Sequence, residues 1–416
     1  MDDGKSTLIG RLLVDAGLVK LDQAADVDAA GMTEDGKLAA FCDGLLEERE
    51  KGITIDVAHR YFETKRHKYI INDCPGHAEF QQNMSTGCST SDVAIIMLDS
   101  TRPIHHCITE QTVAHFRNVG LFAIPKVLVC INKLDKHPAE TREHVFKEIS
   151  KQVRTYMKEL LPDKTILSFF PVSALTGANV VHSDTEMFPW WESCTLFEKL
   201  EDMDPPVNEL NYQEPIAVVD GFVTGPNGKA AVWVKVVSGT IEKGSVLYVD
   251  GTPHTVTVDD IAVGNTDFRL MATTGTSCSL FISGETYDAI QTGSVLTTED
   301  SDIAPEYTLD LNFIWLSEKK LDKTKPIGVI VHGQKRIASV VEIIHFVPEI
   351  PDCFNIKYKK GVGKGYIGIM NLAVTTPIVT LPYYYDRHPL GQVVLYDLDT
   401  YETVGVGMVR LWDLQD

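Results

Sequence analysis

Closely spaced cysteine pairs are missing from this sequence. None of the eight cysteines stands in a Cys-x-x-Cys pattern, which zinc sites and redox motifs commonly use. A run of potential zinc ligands does occur, but its spacing fits no common ligand pattern: His105, His106, Cys107 and His115. We therefore expect reduced thiols, most of them in or near the core, and no zinc site.

Long hydrophobic runs are missing as well, although the hydrophobic share of 44 % is ordinary for a globular protein. A membrane-spanning helix needs about 18 or more consecutive apolar residues, and no such run occurs. The N-terminal residues also lack the basic and then apolar layout of a secretory signal. The sequence therefore predicts a cytoplasmic protein without a membrane segment.

Positive charge is scarce. Lys and Arg together number 38, against 58 for Asp and Glu, which leaves a formal net charge of −20. Proteins that bind nucleic acid neutralise its phosphates with basic surfaces, so this balance disfavours nucleic acid as a partner, although a local basic patch would not show in the total. The length of 416 residues is too great for one compact core and predicts about two to four domains.

The chain opens on the second half of a phosphate-binding loop, GKST at residues 4–7. In such a loop backbone N–H groups hold the phosphates, the lysine reaches the β- and γ-phosphates, and the hydroxyl binds Mg²⁺. A helix should follow and direct its N-terminus toward the phosphates, because the next apolar residues share one face at helical spacing: Leu8, Ile9, Leu12 and Leu13. The glycine and the strand that normally precede this tetrapeptide are missing, so it is a weak signal by itself.

Short apolar runs alternate with amphipathic stretches between residue 8 and about residue 201, the pattern of a parallel sheet wrapped by helices. The predicted strands are residues 69–71, 93–98, 127–131 and 166–172. Each is followed by polar residues, and in an open parallel sheet the ligand lies outside the carboxyl ends of the strands. These polar residues should therefore surround one pocket: Asp73, Asp99, Asn132 and Ser173.

Motifs at these strand ends suit a guanine nucleotide. DCPG at residues 73–76 offers the carboxylate of Asp73 to Mg²⁺ and the N–H of its glycine to a γ-phosphate, although a plain Pro-Gly turn would look the same. NKLD at residues 132–135 places the carboxylate of Asp135 where it can accept from both N1–H and the exocyclic amine of guanine, donors that adenine does not offer together. SAL at residues 173–175 matches a loop that packs against the base. The order and spacing of the motifs favour a nucleoside triphosphate site more than any one motif does.

Hydrolysis would need groups near the γ-phosphate. Charged residues 47–51 would usually form a solvated surface, but they lead into Gly-Ile-Thr. Thr54 could bind Mg²⁺ through its hydroxyl and a γ-phosphate through its N–H, as an ordered switch segment does. His77 follows Gly76 directly and could orient the attacking water, although a lone histidine is more often structural. We therefore predict Thr54, Gly76 and His77 as the catalytic residues.

The pattern changes after residue 204 to period-two alternation with frequent turn glycines, which indicates all-β structure. Hairpin turns are expected at residues 227–228 and 250–251, and residues 297–305 form a polar break. The tyrosines at residues 383–385 are predicted to line a barrel wall rather than to stack on bases. The predicted fold is an α/β P-loop G domain without its first strand at residues 1–203, followed by two all-β barrel domains at residues 204–300 and 305–416.

This succession resembles the translation-factor class of GTPases over essentially the whole chain. Four segments make it most similar to the GTPase subunit of the two-subunit, bacterial-type sulfate adenylyltransferase: DDGKSTLIGRLL at residues 2–13, EREKGITIDVAHRYF at residues 48–62, NMSTGCST at residues 83–90 and MFPWW at residues 187–191. Cys74 departs from that family, which usually has threonine or alanine there. The resemblance implies that GTP hydrolysis on this chain drives formation of adenosine 5′-phosphosulfate from ATP and sulfate on a smaller catalytic subunit.

The motifs and the resemblance together define the predicted site. GTP is expected to bind Asp3, Gly4, Lys5, Ser6, Thr7, Asp73, Asn132, Lys133, Asp135, Ser173, Ala174 and Leu175. Mg²⁺ is expected on Ser6, Thr54 and Asp73. A second hypothesis stays open at this point, namely an elongation factor that carries aminoacyl-tRNA and hydrolyses GTP only as a release timer. Net charge does not separate the two, since acidic members of that class exist.

The missing strand and glycine lead to a prediction about nucleotide affinity. The strand that leads into a phosphate loop is central in its sheet, so without it ladder groups stay unpaired. About two or three N–H donors to the β-phosphate are also lost, at about 1.5–3 kcal/mol each, which amounts to about 10²–10⁶ in affinity. We expect the sequence as written to fold poorly or to bind GTP weakly, and about 20–30 upstream residues ending in Gly-x-x to restore both. Calorimetric titration of GDP tests this, and micromolar or tighter binding with a cooperative melt would contradict it.

Overall fold

The structure is a computed structural model that describes residues 3–17, 38, 58–75, 81–157, 161, 165–203, 214–224, 230–264, 267–284, 289–299, 301, 303–344, 362–381 and 389–410. The described residues up to residue 203 form one compact unit, and those from residue 214 onward form a second. Among all of these residues, no helix is both long enough and apolar enough to cross a membrane.

The first unit combines helices and strands, as its alternating pattern predicts. Its described strands are β1 (Ala58–Glu63), β2 (Lys68–Asp73), β3 (Val93–Asp99), β4 (Lys126–Asn132) and β5 (Ile166–Pro171). Its described α-helices are α1 (Lys5–Asp15), α2 (Gln81–Ser89), α3 (Glu110–Leu121), α4 (Ala139–Met157) and α5 (Leu196–Glu201). Short 3₁₀ turns lie at Ile104–His106 and Leu134–Lys136.

Strands β3, β4 and β5 form a parallel sheet in that order. β4 is the central strand, and every residue in it after Lys126 is buried, as expected for a parallel strand that is covered on both faces. The register pairs Asp99 at the end of β3 with Asn132 at the end of β4. The predicted meeting of polar residues at these two strand ends is therefore confirmed.

Strands β1 and β2 form a separate antiparallel hairpin. Phe62 and Tyr69 lie opposite each other on its inner face and stack with their ring centroids 4.6 Å apart. On the outer face, Tyr61 and Ile70 are 73 % and 60 % exposed. In the part of the chain that the structure describes, no strand joins this hairpin to the parallel sheet. The inner face packs into the same apolar cluster as residues of α1 and β4, which helps to position Asp73 at the end of β2.

Helix α4 shows why the amphipathic stretches pack against the sheet. Its buried apolar residues recur every three or four positions: Val145, Phe146, Ile149, Val153 and Met157. This spacing places them on one face of the helix, which turns inward while the charged residues face solvent. The short helix α5 is held at its start by a capping box, in which Thr195 and Glu198 each accept a hydrogen bond from the backbone N–H of the other.

The second unit begins with a set of antiparallel strands. They are β6 (Ile216–Thr224), β7 (Ala230–Ser238), β8 (Thr240–Glu242), β9 (Val246–Val249), β10 (Thr255–Val263), β11 (Asp267–Arg269), β12 (Met271–Thr273), β13 (Ser277–Ser283) and β14 (Val295–Thr297). Seven of them follow the order β11-β10-β13-β7-β6-β14-β9, and β9 pairs with β10 as well. This extra pairing closes six strands into a ring around a Val-rich core.

A second set of strands forms a closed barrel. They are β15 (Glu306–Trp315), β16 (Ile327–Val331), β17 (Gln334–Ile344), β18 (Ile367–Ile378), β19 (Gln392–Tyr396) and β20 (Thr403–Val409). Their order around the barrel is β15-β18-β17-β16-β19-β20. The predicted class, an α/β domain followed by two β-barrels, is thereby confirmed. The predicted domain boundaries stay predictions, because both sets of strands belong to one compact unit.

Apolar residues of both sets meet in a shared cluster, which explains why they form one unit. Ile216 and Val295 from the first set pack with Val379 and Leu390 from the second. His332 joins the two sets through polar contacts, since its Nδ1 lies 2.7 Å from the carbonyl oxygen of Gly293 and its Nε2 lies 2.8 Å from that of Val379. Burial lowers the pKa of His332, although these two carbonyls oppose the shift.

Two strand glycines give a prediction about packing in the second unit. A Cβ at Gly328 in β16 would lie 2.1 Å from the Tyr396 ring, whereas a Cβ at Gly221 in β6 would meet nothing within 4 Å. We expect Gly328→Ala to destabilise the protein by about 1–3 kcal/mol, the usual cost of overpacking. Gly221→Ala is the matched control and should change the stability by less than about 1 kcal/mol. Urea unfolding measures both, and equal midpoints for the two variants would show that the Tyr396 ring can move away freely.

Candidate nucleotide site

The phosphate loop meets the strand ends at Gly4. This residue caps α1 with φ +90°, a left-handed conformation that glycine adopts without strain. A Cβ at this position would lie 2.4 Å from Nδ2 of Asn132. Both the backbone conformation and the close approach therefore require glycine. Ser6 and Thr7 follow in the first turn of the predicted helix, whose buried face is confirmed.

The lysine of the loop contacts the carboxylate at the end of β2. Nζ of Lys5 donates a hydrogen bond to Oδ1 of Asp73, and the side chain of Asp73 is only 2 % exposed. A buried carboxylate is costly unless a cation and hydrogen bonds compensate, and Lys5 supplies both. The residue predicted to reach the phosphates and the residue predicted to face Mg²⁺ thus lie side by side.

The buried side chain of Asn132 joins two of the predicted motifs. Its Nδ2 donates to the carbonyl oxygen of Asp3 at 2.8 Å, and its Oδ1 accepts from the N–H of Ala174 at 2.9 Å. Asn132 is 3 % exposed, so water cannot replace these partners. The start of the phosphate loop and the SAL segment are therefore held at a set distance from each other.

Lys133 turns back onto the neighbouring strand end. Its backbone is left-handed, with φ +63°, and its Nζ donates to Oδ2 of Asp99 at 2.8 Å. Burial raises the pKa of Asp99, but hydrogen bonds from Lys133 and from the hydroxyl and N–H of Thr101 outweigh it, so that this pKa lies below its usual value. Asp99 therefore stays ionised near neutral pH and orients the lysine.

Arg102 is a site residue that the sequence motifs do not indicate. Its Nη2 forms an ion pair with Oδ1 of Asp3 at 2.8 Å, just before the phosphate loop. Burial raises the pKa of Asp3, and Arg102 opposes that shift. The only sequence signal for Arg102 is its place shortly after the end of β3, where a ligand-facing loop is expected.

The remaining predicted base-contacting residues lie around the same strand ends. Asp135 is in the 3₁₀ turn after Lys133, and one of its carboxylate oxygens is 3.9 Å from Nζ of Lys136. Ser173 is fully buried, and its Oγ accepts from the N–H of Thr176 at 3.3 Å. Leu175 is partly buried at the end of the SAL segment.

Two cysteines near the site are thiols that point at backbone. Sγ of Cys74 donates to the carbonyl oxygen of Asn72 at 3.4 Å, and burial raises the pKa of Cys74 to about 11, with Lys5 opposing the shift. Cys107 is fully buried, with Sγ 3.4 Å from the carbonyl oxygen of Arg102. Burial also raises the pKa of Cys107 to about 11. Both side chains are therefore protonated near neutral pH, and a protonated thiol is a poor nucleophile.

The predicted catalytic residues lie outside the residues that the structure describes. These catalytic residues are Thr54, Gly76 and His77, and their roles stay predictions. The tyrosines at residues 383–385 lie outside the described residues too. The described residues bring together the phosphate loop, Asp73, Asp99, the NKLD motif and the SAL segment, and they add Arg102 to them.

The described residues suit a nucleotide with a divalent cation. The 11-residue helix α1 begins at Lys5, next to Asn132 and Asp73 at the strand ends, and the backbone N–H groups of such a helix start can hold an anion. The hydroxyl of Ser6 and the carboxylate of Asp73 are hard oxygen donors of the kind that Mg²⁺ prefers. Lys5 adds the positive charge that phosphates need.

Comparison with known proteins agrees with this geometry. The family described as the elongation factor Tu GTP binding domain matches residues 1–210. Fold and site therefore define a GTP-binding protein of the elongation-factor type. More particularly, the chain belongs to the sulfate adenylyltransferase subunit 1 family.

The first of two curated relatives carries that assignment. Sulfate adenylyltransferase subunit 1 of Pseudoalteromonas atlantica is 35 % identical over 98 % of this chain and 85 % of its own length. The bifunctional enzyme CysN/CysC of Rhodopirellula baltica is 33 % identical over 98 % of this chain and 62 % of its own length. Among solved structures, sup35 complexed with GDP covers 99 % of this chain at 22 % identity and a TM-score of 0.43. The curated relatives and the matching family confirm the predicted family, and the aminoacyl-tRNA carrier is the less supported hypothesis.

Asp135 gives a sharp prediction about base specificity. If Asp135 accepts from guanine as predicted, Asp135→Asn removes this acceptor pair and offers a donor to the additional keto group of xanthine instead. We expect the preference for GTP over XTP to invert, with a loss of about 3 kcal/mol, or roughly a hundredfold, in GTP affinity. Asp267→Asn, at an exposed aspartate of the second unit, is the matched control and should leave both affinities unchanged. A variant at residue 135 that still prefers GTP in competitive titration would show that NKLD does not read the base.

Proposed function

We propose that this chain is the GTP-hydrolysing subunit of a sulfate adenylyltransferase. GTP hydrolysis here would drive ATP and sulfate to adenosine 5′-phosphosulfate and diphosphate on a smaller catalytic subunit. The observation that carries the proposal is the joining of the phosphate loop to the NKLD and SAL motifs through Asn132, in a chain of the subunit 1 family. The name "subunit 1" of the relatives supports a partner subunit.

Binding would use the groups gathered at the strand ends. Lys5 would contact the β- and γ-phosphates, and Asp135 would accept hydrogen bonds from guanine. We propose Ser6, Thr54 and Asp73 as the residues that hold Mg²⁺, which when bound neutralises negative charge on the phosphates. Lys5 would then exchange its contact with Asp73 for contacts with phosphate oxygens.

Hydrolysis would depend on residues next to the γ-phosphate. His77 would orient the attacking water, while the backbone N–H groups of Thr54 and Gly76 would bind γ-phosphate oxygens. Cleavage removes the group that these N–H donors hold, so both segments would relax after hydrolysis. We propose that the catalytic partner senses this relaxation, and through it whether the bound nucleotide has been hydrolysed.

We propose the cytoplasm as the location, because GTP and ATP are supplied there. The six cysteines that the structure describes are all free thiols, which suits a reducing compartment. The acidic net charge of −20 disfavours extended contacts with nucleic acid.

A reconstitution experiment tests the proposal. The chain is mixed with the small subunit of a sulfate adenylyltransferase, ATP, sulfate and either GTP, GDP or a non-hydrolysable GTP analogue. We expect diphosphate release that requires GTP and is lost with the analogue. Diphosphate release that is indifferent to GTP, together with retention of aminoacyl-tRNA on a filter, would instead support the elongation-factor hypothesis.

His77 gives a prediction that separates binding from catalysis. We expect His77→Ala to lower GTP hydrolysis by at least about tenfold with GTP affinity nearly unchanged, because a residue that orients water acts only in the transition state. His59→Ala is the control. His59 is an exposed histidine of the same unit, and its Nδ1 forms a hydrogen bond with Oδ1 of Asn72. An equal loss of binding and hydrolysis in His77→Ala would identify the residue as structural.

A further inference from the structure

Arg11 connects the helix of the phosphate loop to the SAL segment. Its Nε donates to the carbonyl oxygen of Ala174 at 3.3 Å, and its Nη2 donates to the carbonyl oxygen of Leu175. Nη1 lies 3.4 Å from Oδ1 of Asp15, one helical turn further along α1. The side chain of Arg11 is only 13 % exposed, so these contacts are largely shielded from water.

The turn that receives the guanidinium is tightly built. Gly177 closes it with φ +85°, and its N–H donates to the carbonyl oxygen of Ser173 at 2.8 Å. A Cβ at Gly177 would lie 2.8 Å from Oδ2 of Asp15 and 3.2 Å from Cδ of Arg11. The glycine therefore lets the turn come down directly onto the Arg11–Asp15 pair.

Arg11 and Asn132 hold the SAL segment through different groups. Asn132 accepts from the N–H of Ala174, while Arg11 donates to the carbonyls of Ala174 and Leu175. A trans peptide keeps its C=O and the following N–H on opposite sides, so these contacts orient successive peptide units of the segment. Lys5 lies on the same helix as Arg11, about 9 Å away along the axis at 1.5 Å per residue.

We propose that Arg11 is a positioning residue for base specificity, which transmits the placement of the phosphate-binding helix to the base-contacting SAL segment. This inference rests on the proposed function of the site as a guanine nucleotide site. Without the guanidinium, the SAL segment would lose the donors that hold its carbonyls, while Lys5 and the phosphate loop would keep their positions. The contacts with the base would then contribute less to the free energy of nucleotide binding, whereas the contribution of the phosphate contacts would stay the same.

The experiment compares GDP with ADP by calorimetric titration of the full chain. We expect Arg11→Ala to weaken GDP binding by about tenfold or more, as for the loss of charged hydrogen bonds, with ADP binding unchanged. Arg11→Lys keeps the charge but not the two-pronged geometry and should give a smaller loss of the same kind. In steady-state hydrolysis, Arg11→Ala should raise KM for GTP with little change in kcat.

Arg66→Ala is the matched control, because Arg66 also donates to a backbone carbonyl, that of Glu201 at 3.2 Å, elsewhere in the same unit. It should leave the GDP-to-ADP preference unchanged. Equal losses of GDP and ADP affinity in Arg11→Ala, or an unchanged preference, would overturn the inference while leaving the proposed function intact. A wild-type chain without any preference for GDP over ADP would overturn both.

Should Arg11→Ala fail to fold, Asp15→Asn and Arg11→Lys decide the matter. Asp15→Asn leaves the guanidinium in place but removes its charge partner, so the preference for GDP should fall by a few-fold. A wild-type preference in both folded variants would overturn the inference.

Discussion

The site depends on the hydrogen bonds that one buried side-chain amide, that of Asn132, forms with two distant segments. A carboxamide out of contact with water needs partners for both its nitrogen and its oxygen. Asn132 finds them in the carbonyl of Asp3 and the N–H of Ala174, which are 129 and 42 residues away in the chain. Because one partner precedes the phosphate loop and the other belongs to the SAL segment, the amide sets the distance between the two halves of the site. The absence of a side chain at Gly4 leaves room for it.

Charge pairs extend this arrangement outward from the amide. The carboxylate of Asp73 meets Lys5, that of Asp99 meets Lys133, and that of Asp3 meets Arg102. In an acidic chain, each of these carboxylates would be costly to bury without a cation close by. The pairs keep the cationic side chains in place around the start of α1. The site is therefore assembled from charges that already balance each other.

The second unit consists mainly of β-strands. Its strands close into a ring and a barrel around apolar cores, and the two are joined by a shared cluster and by His332. None of the predicted site residues lies in this unit. The curated relatives are similar to this chain across both units, so the second unit belongs to the part of the chain that the family shares.

The strands β2 to β5, the helix after the phosphate loop and the polar residues at the strand ends could be predicted from the sequence, because these signals are local, whereas the placement of β2 in a separate hairpin could not. Apolar runs, helical spacing and short motifs at strand ends all lie within a few residues. No sequence signal indicated that Arg11 would contact the SAL segment, that Arg102 would pair with Asp3 or that β9 would close the first ring of strands. The partners of these groups lie far away in the chain, for instance 163 residues between Arg11 and Ala174. Which guanidinium reaches which carbonyl or carboxylate is set by the packing of helix and loop against the sheet, and no local pattern of residues encodes that packing.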